Sequence, residues 1–350
     1  MRWLAVILIS LLTFIAQPAY ASGGPEGKVD VSELIFGHIG DSYGWHITEW
    51  NGRHVTIPLP CIVHSSTGWH VFMSSELEHG HEHEGLFIAE EGRYADKIVE
   101  IGPDGQQVRP FDISITKNVA SLLFSALLLI VIVLWTARWY RKHDVLEEGA
   151  PKGFAGLVEM LVEMVTNDLI KPSIDEKYYR KYTPFLLTVF FFIFLNNLLG
   201  IVPFFPGGAN VTGNIAVTMV LALFTFFMVN LFADRHYWKE ILWPEAPIFL
   251  KFPLPIMQVI EIFGMISKPF SLMVRLFANI LAGHAMILGL VAVIFVTAKL
   301  GPVINGSMTV ITMVFGVFMD CLELLVAFIQ AYVFTMLSAV FIGMSRQGGH

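Results

Sequence analysis

The residues that could carry chemistry in this chain are a few polar side chains inside two long apolar stretches. In the first stretch, five polar or small residues fall within about 40° of one line on an α-helix: Lys268, Ser271, Arg275, Asn279 and Ala282. His284 comes nine residues after Arg275, near the opposite face and about 13 Å farther along the helix axis. We therefore expect Arg275 and His284 to serve different neighbours.

A second polar group lies in the last apolar stretch. Glu323 and Gln330 are seven residues apart and so share one face of a helix, and Asp320 lies within one turn of Glu323. A charge at mid-membrane costs about 2.5 to 3.5 kcal/mol on insertion scales, so such residues usually line an ion path or a paired interior.

The two kinds of charge differ in what they can do with a proton. The guanidinium of Arg275 stays protonated, so it cannot relay protons. It can attract a carboxylate, cause that carboxylate to release its proton, and interrupt a proton wire. Glu323 and His284 can be tuned by burial or by a nearby charge to titrate near neutrality.

Each residue also has a simpler interpretation. Arg275 could form a structural salt bridge with Glu323 or Asp320. His284 could be a hydrogen-bonded packing residue, and the ammonium group of Lys268 could extend to the membrane surface. Amides commonly join membrane helices, and three lie in apolar stretches: Asn196, Asn197 and Gln330.

The composition indicates a membrane protein. Of 350 residues, 55% are apolar and only 15% are charged, and the mean hydropathy is +0.64. The two cysteines, Cys61 and Cys321, lie in segments of opposite character, which argues against a disulfide framework. The sequence contains no G-x-x-x-x-G-K-[ST] motif for nucleotide phosphates. We expect no cofactor and no nucleic-acid partner.

The N-terminal part has the character of an exported region. Residues 1–21 combine Arg2, an apolar run and a small-x-small site at Ala19-Tyr20-Ala21, which predicts a signal peptide, with an uncleaved anchor as the alternative. Residues 22–115 alternate in short polar and apolar stretches, which favours a small strand-rich region. Its cluster of His79, His81 and His83 could bind a divalent metal. We favour a solvated loop and assign it no activity.

Apolar runs predict five membrane-embedded helical segments, at about 119–137, 184–200, 214–233, 256–298 and 303–344. The last two would each be about 65 Å long, so they must break, kink or tilt strongly, and Gly301-Pro302 favours an antiparallel pair. The three-and-four spacing of apolar residues from Phe154 to Leu169 predicts an amphipathic helix at the membrane surface. The expected fold is an all-α integral membrane domain, 116–345, behind the strand-rich region.

Basic clusters set the expected orientation. They follow the first and third spans and precede the second, so all fall on one side of the membrane. By the positive-inside rule this side is cytoplasmic. We therefore expect an exported, periplasmic N-terminus and a cytoplasmic tail, 346–350.

Three segments together carry a family resemblance. MQVIEIFGMISKPFSLMVRLFANILAGH (257–284) closely resembles the signature of subunit a of the F-type ATP synthase, with the specific core R-L-F-x-N-x-x-A-G. PFLLTVFFFIFLNNLLGIVP (184–203) resembles the family's second span, and CLELLVAFIQAYVFTMLSAVFIGM (321–344) its last helix. The resemblance covers roughly residues 115–345, and residues 22–114 have no counterpart in the family's common core.

The resemblance implies roles for matching positions. Arg275 corresponds to the arginine that faces the rotor-ring carboxylate, Asn279 and Gln330 to polar groups beside it, and Asn197 to an amide of the second span. Many bacterial members have an acid at the position of His284 and a histidine at that of Glu323. Here the two are exchanged, which we interpret as a compensated pair that leaves the order of proton transfer open. The supporting polar positions are Lys268, Ser271, Asp320 and Glu261.

The implied function is proton translocation that drives ATP synthesis in a bacterial inner membrane. Two offset half-channels, one lined by Glu323 and His284 and the other open to the cytoplasm, would load and unload a carboxylate on a rotor ring. The implied partners are that ring of c-type subunits, peripheral-stalk b-type subunits, the F1 head and membrane lipid. A secondary transporter or a structural membrane scaffold would also use buried charges, and both remain as alternatives.

Overall fold

The computed structural model describes residues 40–50, 53–143, 149, 151–202, 207–243 and 256–346. The predicted signal peptide lies outside the described residues, as does the tail after Arg346. The described residues form two compact units. One comprises residues 286–318, and the other comprises the remaining described residues on either side of them.

Short antiparallel strands make up the N-terminal domain, in the region where the sequence alternates. Within the described residues they are β1 Gly44–Trp50, β2 Arg53–Pro58, β3 Pro60–Ser65, β4 Gly68–Met73, β5 Leu86–Ile88, β6 Ile98–Ile101, β7 Gln107–Val108 and β8 Phe111–Asp112. They form three sheets, ordered β1-β2, β4-β3-β8 and β5-β6-β7. Alternate residues of β3, Cys61 and Val63, are fully buried in the domain core, while Trp69 and Val71 of β4 are exposed.

The helical domain begins directly after these strands. Its helices are α1 Lys117–Lys142, α2 Phe154–Met164, α3 Tyr179–Ile201, α4 Ile215–Leu231, α5 Arg235–Leu242, α6 Ile256–Thr297 and α7 Pro302–Arg346. Four of them, α1, α3, α6 and α7, are long and apolar enough to cross a membrane among the residues described. A fifth span results if α4 and α5, bent by 101°, are taken together. The fold is therefore that of a mostly helical membrane protein, as expected.

The second span begins earlier than its proline suggested. We expected it to start at Pro184, but α3 begins at Tyr179 and continues through the proline. Proline removes only one backbone donor, whose acceptor would be the carbonyl of Arg180, close to the polar end of the helix. That position tolerates the missing bond.

The predicted amphipathic helix is observed with a different buried face. α2 continues into a π-helical turn, Val165–Ile170. Leu161, Val165 and Leu169 are buried as the spacing suggested, whereas Phe154 is 50% and Leu157 48% exposed. Ala155 and Val158 are buried instead, so the buried face of α2 is already displaced before the π turn begins.

The core of the helical domain is formed by α3, α6, α7 and the π-helical turn. The fully buried Phe190 of α3, Leu276 of α6 and Ala331 of α7 belong to one apolar cluster. Arg346 at the end of α7 ties three helix ends together. Its Nε donates to the hydroxyl of Tyr182 (2.9 Å), and its Nη1 donates to Oδ1 of Asp234 (3.0 Å).

The two long helices have the predicted lengths and direction. Gly301, with φ of 103°, separates them in the left-handed region that favours glycine. Farther from this turn, the ammonium of Lys268 lies 5.5 Å from the ring centroid of Phe341, and Gly283 lies beside Glu323. Residues early in α6 therefore contact residues late in α7, so the two helices are antiparallel.

Candidate functional site

His284 of α6 and Glu323 of α7 form a buried acid–base pair. Nδ1 of His284 lies 2.6 Å from Oε1 of Glu323, and their side chains are 16% and 6% exposed. The contact is not aligned as a hydrogen bond. Neither ring nitrogen nor this carboxylate oxygen has an aligned hydrogen-bond partner among the described residues. Buried polar atoms are normally satisfied, so the pair has capacity to bind water or a proton.

Two glycines make room for this pair. A Cβ built at Gly283 would lie 3.1 Å from Oε1 of Glu323, which is tighter than ordinary van der Waals contact. A Cβ at Gly200, near the end of α3, would lie 3.4 Å from Nε2 of His284. The small residues let three helices approach around the imidazole and the carboxylate.

An amide of α3 supports the same region. The Asn197 side chain is 2% exposed. Its Nδ2 donates to the carbonyl of Ala327 on α7 (3.2 Å), and its Oδ1 accepts from the hydroxyl of Thr212 (2.7 Å). Ala327 lies one turn after Glu323, so Asn197 fixes α3 against the part of α7 that carries the acid. Gln330, the second amide of this group, is buried at 7% exposure.

Arg275 lies on a separate, exposed stripe of α6. Ser271, Arg275 and Asn279 are all exposed, and the small Ala278 and Ala282 lie among them. On an adjacent side of α6, Leu272 and Leu276 are buried against the chain's own core.

The alternative structural salt bridge is not observed. Glu323 contacts His284 instead. Asp320 is exposed on α7. No ion pair or hydrogen bond of the Arg275 guanidinium occurs within the part of the chain that the structure describes.

A small recess of mixed character lies toward the other end of α6. Its polar lining residues are Lys268 of α6, Thr225 and Asn230 of α4, and Tyr237 of α5, and the rest of its lining is apolar. It has about 20 Å³ of space, enough for a water molecule. The Tyr237 hydroxyl donates to Oδ1 of Asn230 at 3.4 Å. Glu261 lies on the first turns of α6, two turns before Lys268.

The histidine cluster of the N-terminal domain has His81 and His83 as its described side chains. Among the described side chains, no group of three or more His, Cys, Asp or Glu residues could hold a metal ion. The side chain of His79 lies outside the described residues, and His81 is exposed. His83 lies 3.9 Å from Glu76. A hydrogen bond with His70 lowers the pKa of the exposed Glu84 carboxyl.

Comparison with known proteins identifies the family. The family model described as ATP synthase A chain matches residues 119–343, well over half of the chain. The chain belongs to the ATP synthase A chain family. This family match begins two residues into α1 and ends three residues before the end of α7, so it contains both the buried pair and the exposed arginine.

Relatives of this ATP synthase A chain family member support the assignment along the whole chain. It is 32% identical to ATP synthase subunit a of Chlorobium phaeobacteroides, over 99% of this chain and 94% of the relative. It is 38% identical to ATP synthase subunit a of Myxococcus xanthus, over 85% and 90%. It is 42% identical to ATP synthase subunit a 2 of Chlorobaculum tepidum, over 68% of this chain and 65% of that relative. A domain family of unknown function, DUF8433, matches residues 34–117.

Two residues of this region were assigned no role from the sequence. Thr212 lies in an uncharged turn, and Gly283 follows an alanine in the signature stretch. Neither residue type marks a polar site by itself. The one available signal is that residue 283 is small, which allows the helix that carries Glu323 to approach closely.

Proposed function

We propose that this chain is the stator half of the proton channel in the F0 sector of a bacterial F-type ATP synthase. It would couple the transmembrane proton gradient to ATP synthesis on a separate F1 head, because its own sequence has no phosphate-binding motif. The expected partners are a rotor ring of c-type subunits, peripheral-stalk b-type subunits and membrane lipid. Family membership supports this assignment.

The observation that carries the proposal is the exposure of Arg275 without a partner among the described residues. A permanent charge on the lipid side of a membrane helix is costly unless another charge compensates it. The neighbouring Ala278 and Ala282 are small and exposed, so another helix can approach closely. A carboxylate on a rotor helix has the opposite charge to Arg275, and the small neighbouring residues would let it come close enough to pair with the guanidinium.

Two polar regions flank the arginine along α6. The His284–Glu323 pair lies nine residues after Arg275, and the recess at Lys268 lies seven residues before it. These separations correspond to about 13 Å and 10 Å along the helix. We assign the first region to the entry path and the second to the exit path.

The proposed proton transfer follows from these positions. A proton from the exported side passes through Glu323 and His284 to the rotor carboxylate, which becomes neutral and can then move through lipid. On its return the carboxyl group meets Arg275, whose fixed charge favours the ionised form. The proton leaves toward the recess, and the guanidinium, which cannot lose its own proton, keeps the two paths apart. Asn197, Gln330 and Asn279 supply polar groups along this route.

The orientation rests on the basic helix ends. Tyr182, Asp234 and Arg346 meet at one side of the helical domain, next to the basic segments 177–182 and 235–239. The N-terminal domain contacts the opposite helix ends, at the start of α1 and the loop before α4. We propose that the basic side is cytoplasmic and that the N-terminal domain is periplasmic.

The test is ATP-driven acidification of inverted membrane vesicles that carry Arg275→Ala, with an immunoblot for the assembled complex. We expect pumping to fall to background while assembly persists. Arg138→Ala is the matched control, because Arg138 is an exposed arginine on α1 away from both polar regions, and it should pump normally. Normal coupled pumping by assembled Arg275→Ala would contradict the proposal and favour a structural arginine.

A further inference from the structure

The first described residues of the N-terminal domain form a strap, residues 41–45, that contacts three parts of the protein. The Asp41 carboxylate accepts from the backbone N–H of Asn118 at 3.0 Å, and the carbonyl of Ser42 accepts from the N–H of Lys117 at 2.8 Å. These bonds satisfy free donors at the start of α1. The Tyr43 hydroxyl donates to Oδ2 of Asp112 at 2.5 Å, inside the domain. The strap therefore joins the domain firmly to the first membrane helix.

Trp45, at the end of the strap, packs against the loop between α3 and α4. Its side chain is 5% exposed and belongs to one buried cluster with Ala209 and Val211, each 1% exposed. Ala120 and Leu122 of α1 pack against the same cluster. A buried tryptophan contributes a large rigid contact area. The loop, residues 207–214, is thus held between the domain and the membrane helices.

The same loop is connected to the buried acid–base pair through other residues in two places. Thr212 donates to Asn197, and Asn197 donates to the carbonyl of Ala327, one turn after Glu323. A Cβ at Gly200 would lie 3.4 Å from Nε2 of His284 and 3.8 Å from the carbonyl oxygen of Ala209. Ala209 therefore shares a buried cluster with Trp45 and lies beside Gly200, the glycine that also faces the imidazole.

We propose that the N-terminal domain, through Trp45, fixes the 207–214 loop over the His284–Glu323 pair and sets how protons reach that pair from the exported side. Trp45 acts as a positioning residue through its packing on the loop, and Thr212 through its hydrogen bond to Asn197. This inference rests on the proposed function. It gives the domain that matches a family of unknown function a role at the entry path.

The experiment uses the whole ATP synthase complex in membrane vesicles. We compare Trp45→Ala with Trp45→Phe, which keeps an aromatic ring, and with Trp69→Ala, which removes an exposed tryptophan from the same domain (59% exposed). The first readout is the proton concentration on the exported side that gives half-maximal ATP synthesis per assembled complex. We expect Trp45→Ala to change it by about threefold or more, and both controls to leave it unchanged.

The second readout is access to the loop. Ala209→Cys, in a Cys321→Ser background, is labelled with a membrane-impermeant maleimide from the exported side and quantified by peptide mass mapping. Ala209 is 1% exposed, so labelling should be slow. Adding Trp45→Ala should accelerate it about tenfold, because the loop opens more often.

A variant on the loop side covers the case in which Trp45→Ala prevents the domain from folding. Thr212→Val removes the hydroxyl that donates to Asn197 without altering the domain core. It should change the half-maximal proton concentration in the same way, and Thr212→Ser should not. An unchanged half-maximal concentration in both Trp45→Ala and Thr212→Val, with only the amount of complex reduced, would overturn the inference. Loss of pumping by Arg275→Ala in the same vesicles would still stand, so the two proposals fail separately.

Discussion

Nδ1 of His284 and Oε1 of Glu323 lie 2.6 Å apart, and both side chains are largely buried between α6 and α7. The pair joins the acid of one helix to the base of the other. The family resemblance implies that many bacterial members have the acid and the histidine in the reverse positions. The observed contact supports our interpretation of a compensated exchange, because both groups share one small space.

Removing the acid tests whether this contact carries protons. Glu323→Gln keeps the shape of the side chain but cannot release a proton. We expect ATP-driven pumping per assembled complex to fall by at least about a hundredfold, the scale for a positioned proton-transfer group. The double variant His284→Glu with Glu323→His should recover much of the rate. A fully active Glu323→Gln would remove Glu323 from the path.

Crowding the pair without changing its charge should also slow pumping. A Cβ at Gly283 would lie 3.1 Å from Oε1 of Glu323, so Gly283→Ala must displace the carboxylate. We expect a loss of about threefold to tenfold in pumping, because proton transfer depends strongly on position. Gly264→Ala is the control on the same helix, since nothing lies within 4 Å of a Cβ there. Equal pumping rates for Gly283→Ala and Gly264→Ala would show that the Glu323 carboxylate can move aside without loss of proton transfer.

The end of the helical domain that contains Arg346 should lose stability when this side chain is removed. Arg346→Ala breaks bonds to Tyr182 and Asp234. We expect it to destabilise the subunit by about 1 to 2 kcal/mol, since hydrogen bonds to a partly buried charge exceed exposed ion pairs. Thermal dissociation of the complex, followed on native gels, should occur at a lower temperature. The dissociation temperature of Arg346→Lys should lie between those of the wild type and Arg346→Ala. Lysine keeps the positive charge but lacks the planar guanidinium that can donate to two partners. If Arg346→Ala leaves the dissociation temperature unchanged, the bonds of Arg346 to Tyr182 and Asp234 do not stabilise the complex.

The N-terminal domain should lose stability above about pH 9. Burial raises the pKa of the Cys61 thiol to about 11 from 9.0, and burial also raises the pKa of the Tyr43 hydroxyl. The unfolded chain releases the thiol proton near pH 9 while the folded domain retains it, so the free energy of unfolding falls between pH 9 and 11. The alkylation rate of Cys61, followed by mass mapping, should rise half-way near pH 11. Ser75→Cys, at an exposed position, should react at the ordinary thiol pKa. A half-rise near pH 9 for Cys61 would contradict this shift.

The sequence predicted the long helices closely and the tertiary contacts hardly at all. The predicted stretches 256–298 and 303–344 correspond to α6 Ile256–Thr297 and α7 Pro302–Arg346, because apolar length and a Gly-Pro break are local signals. The helix repeat also separated Arg275 from His284 correctly. It could not choose between Glu323–Arg275 and Glu323–His284, since a repeat gives the face of one helix and not the register between two.

Other parts of the site depend on contacts that no repeat encodes. Thr212 lies in a turn and acts through Asn197, and Trp45 is more than 160 residues away from the loop it packs on. The amphipathic helix buries Ala155 and Val158, which the apolar spacing did not select, and it continues into a π-helical turn, Val165–Ile170. The helix propensities of single residues do not predict a π-helical turn. Such a turn depends on packing against neighbouring helices.

The position of Arg275 between the two polar regions has an electrical consequence. Along α6 it lies seven residues after Lys268 and nine before His284, so it divides this stretch into two parts of similar length. A membrane potential contributes about 2.3 kcal/mol per charge per 100 mV across the whole membrane. Each path would then carry roughly half of the voltage drop, about 1 kcal/mol per 100 mV. The electric field would thus act on both the loading and the release of the rotor carboxylate, and not at one membrane surface alone.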